Sequence, residues 1–273
     1  MMLDLLKQSP ISARVGMTIV LINVLVAIFA PVLAPYGETS IVGDVWASSS
    51  GQFYMGTDHL GRDLFTRLVY GARNTIALAF ITTALSFVIG IVLGFIAAVK
   101  GGWTDQIFSR IIDIIMAFPT LIFALMILSV LGSSVSVLIF TIATLDSTRV
   151  YRLSRAVAMD IEVMEFVEAA RLRGEGLWWL MRYEILPNAL PPLVAEFGLR
   201  FCFVFLFIAS LSFLGLGLQP PLADWGGMVR ENAGAITFGI YTPLVPAAAI
   251  AFLTVGVNLI VDWALHLSSG LHE

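Results

Sequence analysis

Six stretches of the sequence, at about residues 16–35, 76–99, 111–131, 135–148, 190–217 and 243–265, are built almost entirely of apolar residues. All but the fourth match the roughly 20 residues with which an α-helix crosses a hydrocarbon core of about 30 Å. Backbone groups in lipid find no water to bond, so each run has to close its own hydrogen bonds as a helix. The composition agrees: 59% of the 273 residues are hydrophobic and 12% charged, against about 45–50% and 25% in soluble chains. The expected fold is all-α and polytopic, with six transmembrane helices. In the fourth run the apolar part, Val135 to Leu145, is short, so it either borrows Ser133, Ser134, Asp146 and Ser147 or sits within protein rather than lipid. The first run follows Lys7 and Arg14 as a signal peptide would. No clear small-residue cleavage site follows it and it is long enough to span, which predicts a retained helix.

Orientation follows from lysine and arginine, which favour the cytoplasmic side in short loops next to spans. Six spans put both termini on one side. Of the fifteen basic residues, Lys7, Arg14, Lys100, Arg110, Arg149, Arg152, Arg155, Arg171, Arg173 and Arg182 fall on that side, while Arg62, Arg67, Arg73 and Arg230 fall on the other and Arg200 lies within a span. Both termini are therefore expected in the cytoplasm. The chain divides into residues 1–75, an N-terminal transmembrane helix with its periplasmic loop; 76–265, a five-helix core that includes a cytoplasmic loop at 149–188; and a cytoplasmic tail at 266–273.

The 149–188 loop is the largest segment outside the lipid on that side. Met164, Val167, Ala170 and Leu172, then Leu177, Trp178, Leu180 and Met181, are spaced as two short helices meeting near Gly174 and Gly176, with Pro187 stopping the second. Such a pair is either a docking surface or a helix lying on the membrane interface, a place that suits Trp178 and Trp179.

Several function classes are excluded. A net charge of −4 leaves no basic face for nucleic acid. Cys202, the single cysteine, lies in an apolar run and reads as a small buried hydrophobe. His59, His266 and His272 fall on different sides of the membrane and cannot share a metal, so no metal site is expected. The sequence contains no GxxxxGKS/T phosphate loop, no HExxH pair and no GxSxG elbow, and no histidine is placed to serve Ser133 or Ser134. By composition alone a secondary active transporter is the alternative; it would be favoured by inverted repeats with ionisable residues at mid-membrane, and no such repeat is visible.

Three motifs carry a resemblance. The run Glu168-Ala169-Ala170-Arg171-Leu172-Arg173-Gly174, closed by Leu186-Pro187, resembles the EAA loop of permease subunits in ABC importers. Met55-Gly56-Thr57-Asp58-His59-Leu60-Gly61-Arg62-Asp63, continuing through Arg67 to Gly71-Ala72-Arg73, resembles the dipeptide, oligopeptide and nickel branch of that family, as does Leu211 to Pro221 with Asp224-Trp225-Gly226. The likeness runs from about residue 10 to 265. It implies a type I ABC importer permease fold in a bacterial inner membrane. Glu168, Ala169, Ala170, Gly174, Leu186 and Pro187 would then form the coupling element that docks on an ATPase subunit. Gly56, Thr57, Asp58, Gly61, Arg62 and Asp63 would belong to the surface that meets a substrate-binding protein, setting docking or loop geometry. The implied partners are a second, related permease in a heterodimer, two ATPase subunits that carry ATP and Mg, and a periplasmic or lipid-anchored binding protein; the chain itself binds no cofactor and is not an enzyme. Peptides, opines, nickel complexes or other small polar solutes all fit. The chain departs from the branch at Glu184, where a histidine is usual, in its tail from Asn258 to Glu273, and in Phe201, Phe203, Phe205 and Phe207, where relatives are richer in small residues.

Ionisable groups within spans are costly and suggest function. Glu196 and Arg200 lie four apart, on one helical face, in the order that favours pairing. They are either a self-satisfied structural pair or candidate pathway residues, with Arg200 attracting a carboxylate on the solute. Asp262 with His266, and Arg110 with Asp113, read as helix-surface pairs, and Pro119 as a packing kink in the third span.

Overall fold

The computed structural model describes residues 9–269. Among them the chain is helical, with two isolated bridges, Ile41 to Arg62 and Thr57 to Asp63, in the loop ahead of the second long helix. In chain order the helices are α1 (Ile11–Ile28), the short α2 (Ala30–Leu33), α3 (Leu64–Lys100), α4 (Gly102–Met116), α5 (Thr120–Leu131), α6 (Val135–Glu162), α7 (Glu165–Leu172), α8 (Leu177–Phe213), α9 (Trp225–Asn232) with a 3-10 turn over Ala233–Phe238, and α10 (Leu244–Ser269). Helices α1, α3, α8 and α10 are long and apolar enough to cross a membrane, and α4 with α5 makes a fifth span if the two count as one.

The centre of the bundle is α3 packed along α6. Two glycines let them approach: a Cβ on Gly90 would stand 2.6 Å from Cβ of Val150, and one on Gly94 would stand 3.0 Å from the backbone of Tyr151 and Arg155. On the other flank α1 crosses α10 at Gly16 and Gly256, where a Cβ on Gly16 would meet the Gly256 carbonyl at 2.7 Å. At 37 residues α3 is about 55 Å long, well beyond the hydrocarbon core. It starts twelve residues before the apolar run because Asp63 caps it, accepting from Thr66 N–H at 2.7 Å.

Three expectations need correction. The third span is no single helix with a kink: α4 and α5 meet at 87° across residues 117–119. Pro119 lacks an N–H and drives Phe118 out of the helical region, so the helix stops and restarts. Second, the apolar run at 135–148 is only the first half of a 28-residue helix, α6, which continues through Asp146, Arg149, Arg152 and Arg155 to Glu162. These charges are tolerated because they are answered by other helices. Across from them α4 presents a polar face: Asp105 binds Arg155, Ser109 bonds Tyr151 Oη at 3.0 Å, and Asp113 accepts from Arg152 Nη2 at 2.6 Å. Asp113 thus pairs across helices and not with Arg110, since α4 lies over α6 with that carboxylate turned inward. The opposite face of α4 leaves Trp103, Ile107, Ile111, Ile114 and, just past its end, Phe118 exposed as one stripe. Third, Pro187 does not stop a helix. The chain runs from Leu177 through a π-helical segment, Leu180–Ile185, straight into the span at Leu186. The wider turn reroutes carbonyls around the N–H that Pro187 lacks. The side chain of His266, and with it the pairing to Asp262, lies outside the described residues, as does His272.

Candidate coupling and docking surfaces

At the end of the bundle where α3 finishes, α6 turns through Val163 and Met164 into α7. Val167 and Ala170 are fully buried against Phe95, Ile161, Leu180 and Ile185, so this short helix is rooted on α3, α6 and α8 together. Arg171 adds an ion pair to Glu162 at 2.5 Å. The helix ends at Gly174, which adopts φ +85°, a conformation open to glycine. Its N–H bonds Arg171 O at 2.9 Å, and Glu175 N–H bonds Ala170 O at 3.2 Å. Glu168 and Ala169 face outward with Phe166, and Leu172 is 84% exposed. Leu172 and Trp178, expected among the inward residues, therefore point out. Leu186 and Pro187 lie farther along, at the base of α8. Glu184 stands 3.7 Å from Arg173, whose guanidinium also lies over the Trp179 ring, so this departure from the branch ties the loop to α8.

At the opposite end the loop before α3, the first turns of α3 and the segment around α9 fuse into a plate. Asp58 is fully buried: it accepts from the N–H of Leu60 (2.8 Å) and of Arg62 (2.9 Å) and from Arg62 Nε (2.6 Å), with Arg67 Nε at 3.3 Å. Glu231, from α9, holds Arg62 at 3.0 Å and Arg67 at 3.1 Å. Two carboxylates and two guanidiniums thus balance, and α9 is clamped to a loop some 170 residues away. Asn232 accepts from His59 N–H (3.0 Å) and Trp46 Nε1 (3.3 Å). Thr57 is buried, its hydroxyl accepting from Ala47 N–H at 2.7 Å. Gly56 and Gly61 have φ near +79° and +78°, and a Cβ there would lie 2.4 and 2.1 Å from carbonyl oxygens of Ala47 and Gly43. Asp224 caps α9 through Gly227 N–H (2.9 Å) and accepts from the Thr75 hydroxyl (3.1 Å), while Trp225 Nε1 donates to Leu68 O (2.9 Å). The two plate motifs are therefore one packed unit. Asp58, Arg62 and Asp63 are interior to it; what it shows outward includes Tyr54, Leu60, Phe238 and Tyr241. Glu231, Asn232 and Trp46 have no local signature in the sequence, because their partners are distant.

The charges of the plate decide two further points. Asp58, His59 and Glu231 bring three metal-ligand atoms within 4.8 Å of one another. Both carboxylates already face Arg62 and Arg67, whose positive charge opposes a cation there. Burial pushes the His59 imidazole below its ordinary value, against the pull of Asp58 and Glu231, so it sits in the plate as a neutral ring.

Within the spans, Arg200 Nε lies 2.6 Å from Glu196 and its Nη1 3.7 Å from Asp146 on α6, with Phe203 stacked at 4.7 Å from the guanidinium. Ser86 of α3 donates to the same Asp146 at 2.9 Å. Arg200 is 9% exposed and answered by two carboxylates. Phe203 and Phe207 face a cavity of about 150 Å³ with Asp146 and Arg149, whereas Phe205 is buried edge-on against Trp225 and stacked with Phe201. Cys202 is buried.

A multi-pass helical membrane protein is defined by these features: a hairpin rooted on three long helices at one end, a rigid polar plate at the other, and no nucleotide-binding loop in the sequence. Residues 90–269 match the family described as "Binding-protein-dependent transport system inner membrane component". The chain is 36% identical over 252 residues to the dipeptide transport system permease protein DppC of Alkalihalophilus pseudofirmus, covering 92% of this chain and 83% of that one. It is 34% identical over 261 residues to the probable D,D-dipeptide transport system permease protein DdpC of Escherichia coli, covering 94% and 87%. Over 245 residues it is 30% identical to the glutathione transport system permease protein GsiD of Pectobacterium atrosepticum, covering 89% and 81%. Among solved structures it shares its fold with the MetNI methionine ABC transporter in an inward-facing conformation, with a TM-score of 0.58 and 20% identity over 76% of this chain and 97% of that one. The chain belongs to the binding-protein-dependent transport system inner membrane component family, and it is an ABC importer permease.

Proposed function

We propose that the chain is one of two related permease subunits of an importer for peptides or similar small polar solutes, set in a bacterial inner membrane with the α7 hairpin and both termini in the cytoplasm. The relatives named for dipeptides and glutathione support the solute class. In this reading Glu168, Ala169 and the exposed Phe166 and Leu172 seat on an ATPase subunit, which holds ATP and Mg. Ala170 and Gly174 shape the hairpin, and Leu186 and Pro187 join it to the span. The observation that carries the reading is the rooting of α7: Val167 and Ala170 bury against α3, α6 and α8 at once, so a push on the hairpin moves three helices together. A binding protein meets the plate through outward groups such as Tyr54 and Leu60, while Gly56, Thr57, Asp58, Gly61, Arg62 and Asp63 fix the plate's shape. Glu196 and Arg200 clamp α8 to α6 beside the pathway, since two carboxylates already answer the guanidinium.

The test replaces Leu172 by Asp. Leu172 makes little contact within the chain, so the variant should insert and melt as the wild type while the ATPase subunits no longer co-purify. Undiminished ATPase co-purification with L172D combined with A169R refutes the docking face. Calorimetry of the partner binding protein with dipeptides, opines and nickel complexes identifies the solute.

A further inference from the structure

A groove of about 700 Å³ opens on the flank of the bundle between α1, α3, α8 and α10. Val24, Ala77, Phe80, Phe201 and Val257 typify its walls, and twelve of its thirteen lining residues are apolar, the exception being Arg73. Arg73, Ala77 and Phe80 are spaced i, i+4, i+7 on α3, and Val20, Val24 and Ala27 repeat that spacing on α1. The slot therefore runs along the helix axes for roughly 10 Å, with the guanidinium at one mouth. That mouth lies at the edge of the plate, because the next two residues, Asn74 and Thr75, bond Ala223 and Asp224.

Arg73 differs from its neighbours. Arg62 and Arg67 are each buried between two carboxylates, whereas Arg73 is exposed and has no ion pair or hydrogen-bond partner among the described residues. A charge at the margin of the hydrocarbon, with no counter-ion, above an apolar slot aligned with the spans, is complementary to one kind of molecule. We propose that the groove binds an anionic phospholipid from the leaflet on the plate side, its phosphate on Arg73 and an acyl chain along Ala77, Phe80 and Phe201. A transmembrane helix of a partner permease in the same slot would cover the guanidinium with hydrocarbon and leave it unpaired, a costly arrangement. A soluble ion would have no use for the apolar walls.

The test uses the intact transporter complex, reconstituted in nanodiscs of phosphatidylcholine with a minority of phosphatidylglycerol, then released into detergent for native mass spectrometry. Wild type should retain phosphatidylglycerol selectively. Arg73→Gln should reduce that retention about fivefold, the loss expected for one basic residue at a lipid surface, and Arg73→Lys should restore most of it. Ala77→Phe, which fills the slot, should lower retention of both lipids. Each variant is compared at matched thermal midpoint and ATPase co-purification, and if Ala77→Phe fails this control the Gln and Lys pair decides. Equal retention by wild type and Arg73→Gln overturns the proposal, as does efficient crosslinking of cysteines at Val24 and Ala77 to the partner permease, which would place a protein helix in the groove.

Discussion

Glu231 holds two guanidiniums, Arg62 and Arg67, that otherwise share only Asp58. Because the groups are almost fully buried, removing one partner leaves an uncompensated charge out of water. Glu231→Gln should cost about 3 kcal/mol or more, read as a lowered thermal midpoint of the complex in detergent. A double change of Glu231→Gln with Arg62→Leu should recover part of it. His59 supplies a pH dependence whose sign is fixed. Its folded imidazole is held below the usual 6.5, so as pH falls the unfolded chain takes up that proton before the folded one does. The stability of the plate therefore rises with pH through the region below about 6.5 and declines on acidification. His59→Gln should flatten the profile of thermal midpoint between about pH 5 and 7.5, and an unchanged slope would show that other groups govern it.

At the level of helices, the contact of α3 with α6 depends on having no side chain at Gly90 and Gly94. Gly90→Ala places a methyl 2.6 Å from Val150 Cβ and 2.9 Å from the Ser147 carbonyl, and should cost about 1–3 kcal/mol by overpacking. Gly176→Ala, at a position with open space and φ −81°, should change the midpoint little, so the two variants measured side by side separate packing from backbone effects. The same helices show what hydropathy can and cannot read. Apolar runs located α1, α8 and α10 closely, since those helices end near the lipid boundary. They placed the start of α3 twelve residues late and cut α6 in half, because both helices continue beyond the apolar zone under the protection of other protein. The charges Arg152 and Arg155 looked like loop residues; their partners Asp113 and Asp105 lie 39 and 50 residues away, a pairing that no local pattern records. Pro119 was visible, but whether a proline bends a helix or breaks it depends on what grips each side, and here α6 grips α4 through its polar face.

For the molecule as a whole, the motifs Met55 to Arg73 and Leu211 to Gly226 stood out in the sequence, yet only the structure joins them into one plate, since the joining residues Glu231, Asn232 and Glu38 lie outside both. The hairpin was legible almost complete because it is local: spacing and glycine placement determine it. The Glu196–Arg200 pair was legible too, while its tie to Asp146 was not. The two ends of the bundle thus differ in how they are held together. At the plate, the loop before α3 is fastened to α9 by charge-assisted bonds that do not depend on the intervening peptide. The segment 48–51 lies exposed at its rim, outside that fastening. A chain severed there should therefore behave as a split protein: the N-terminal piece, carrying α1 packed on α10, and the remainder should stay associated through purification and still transport, as though the loop had been a tether and not a strut.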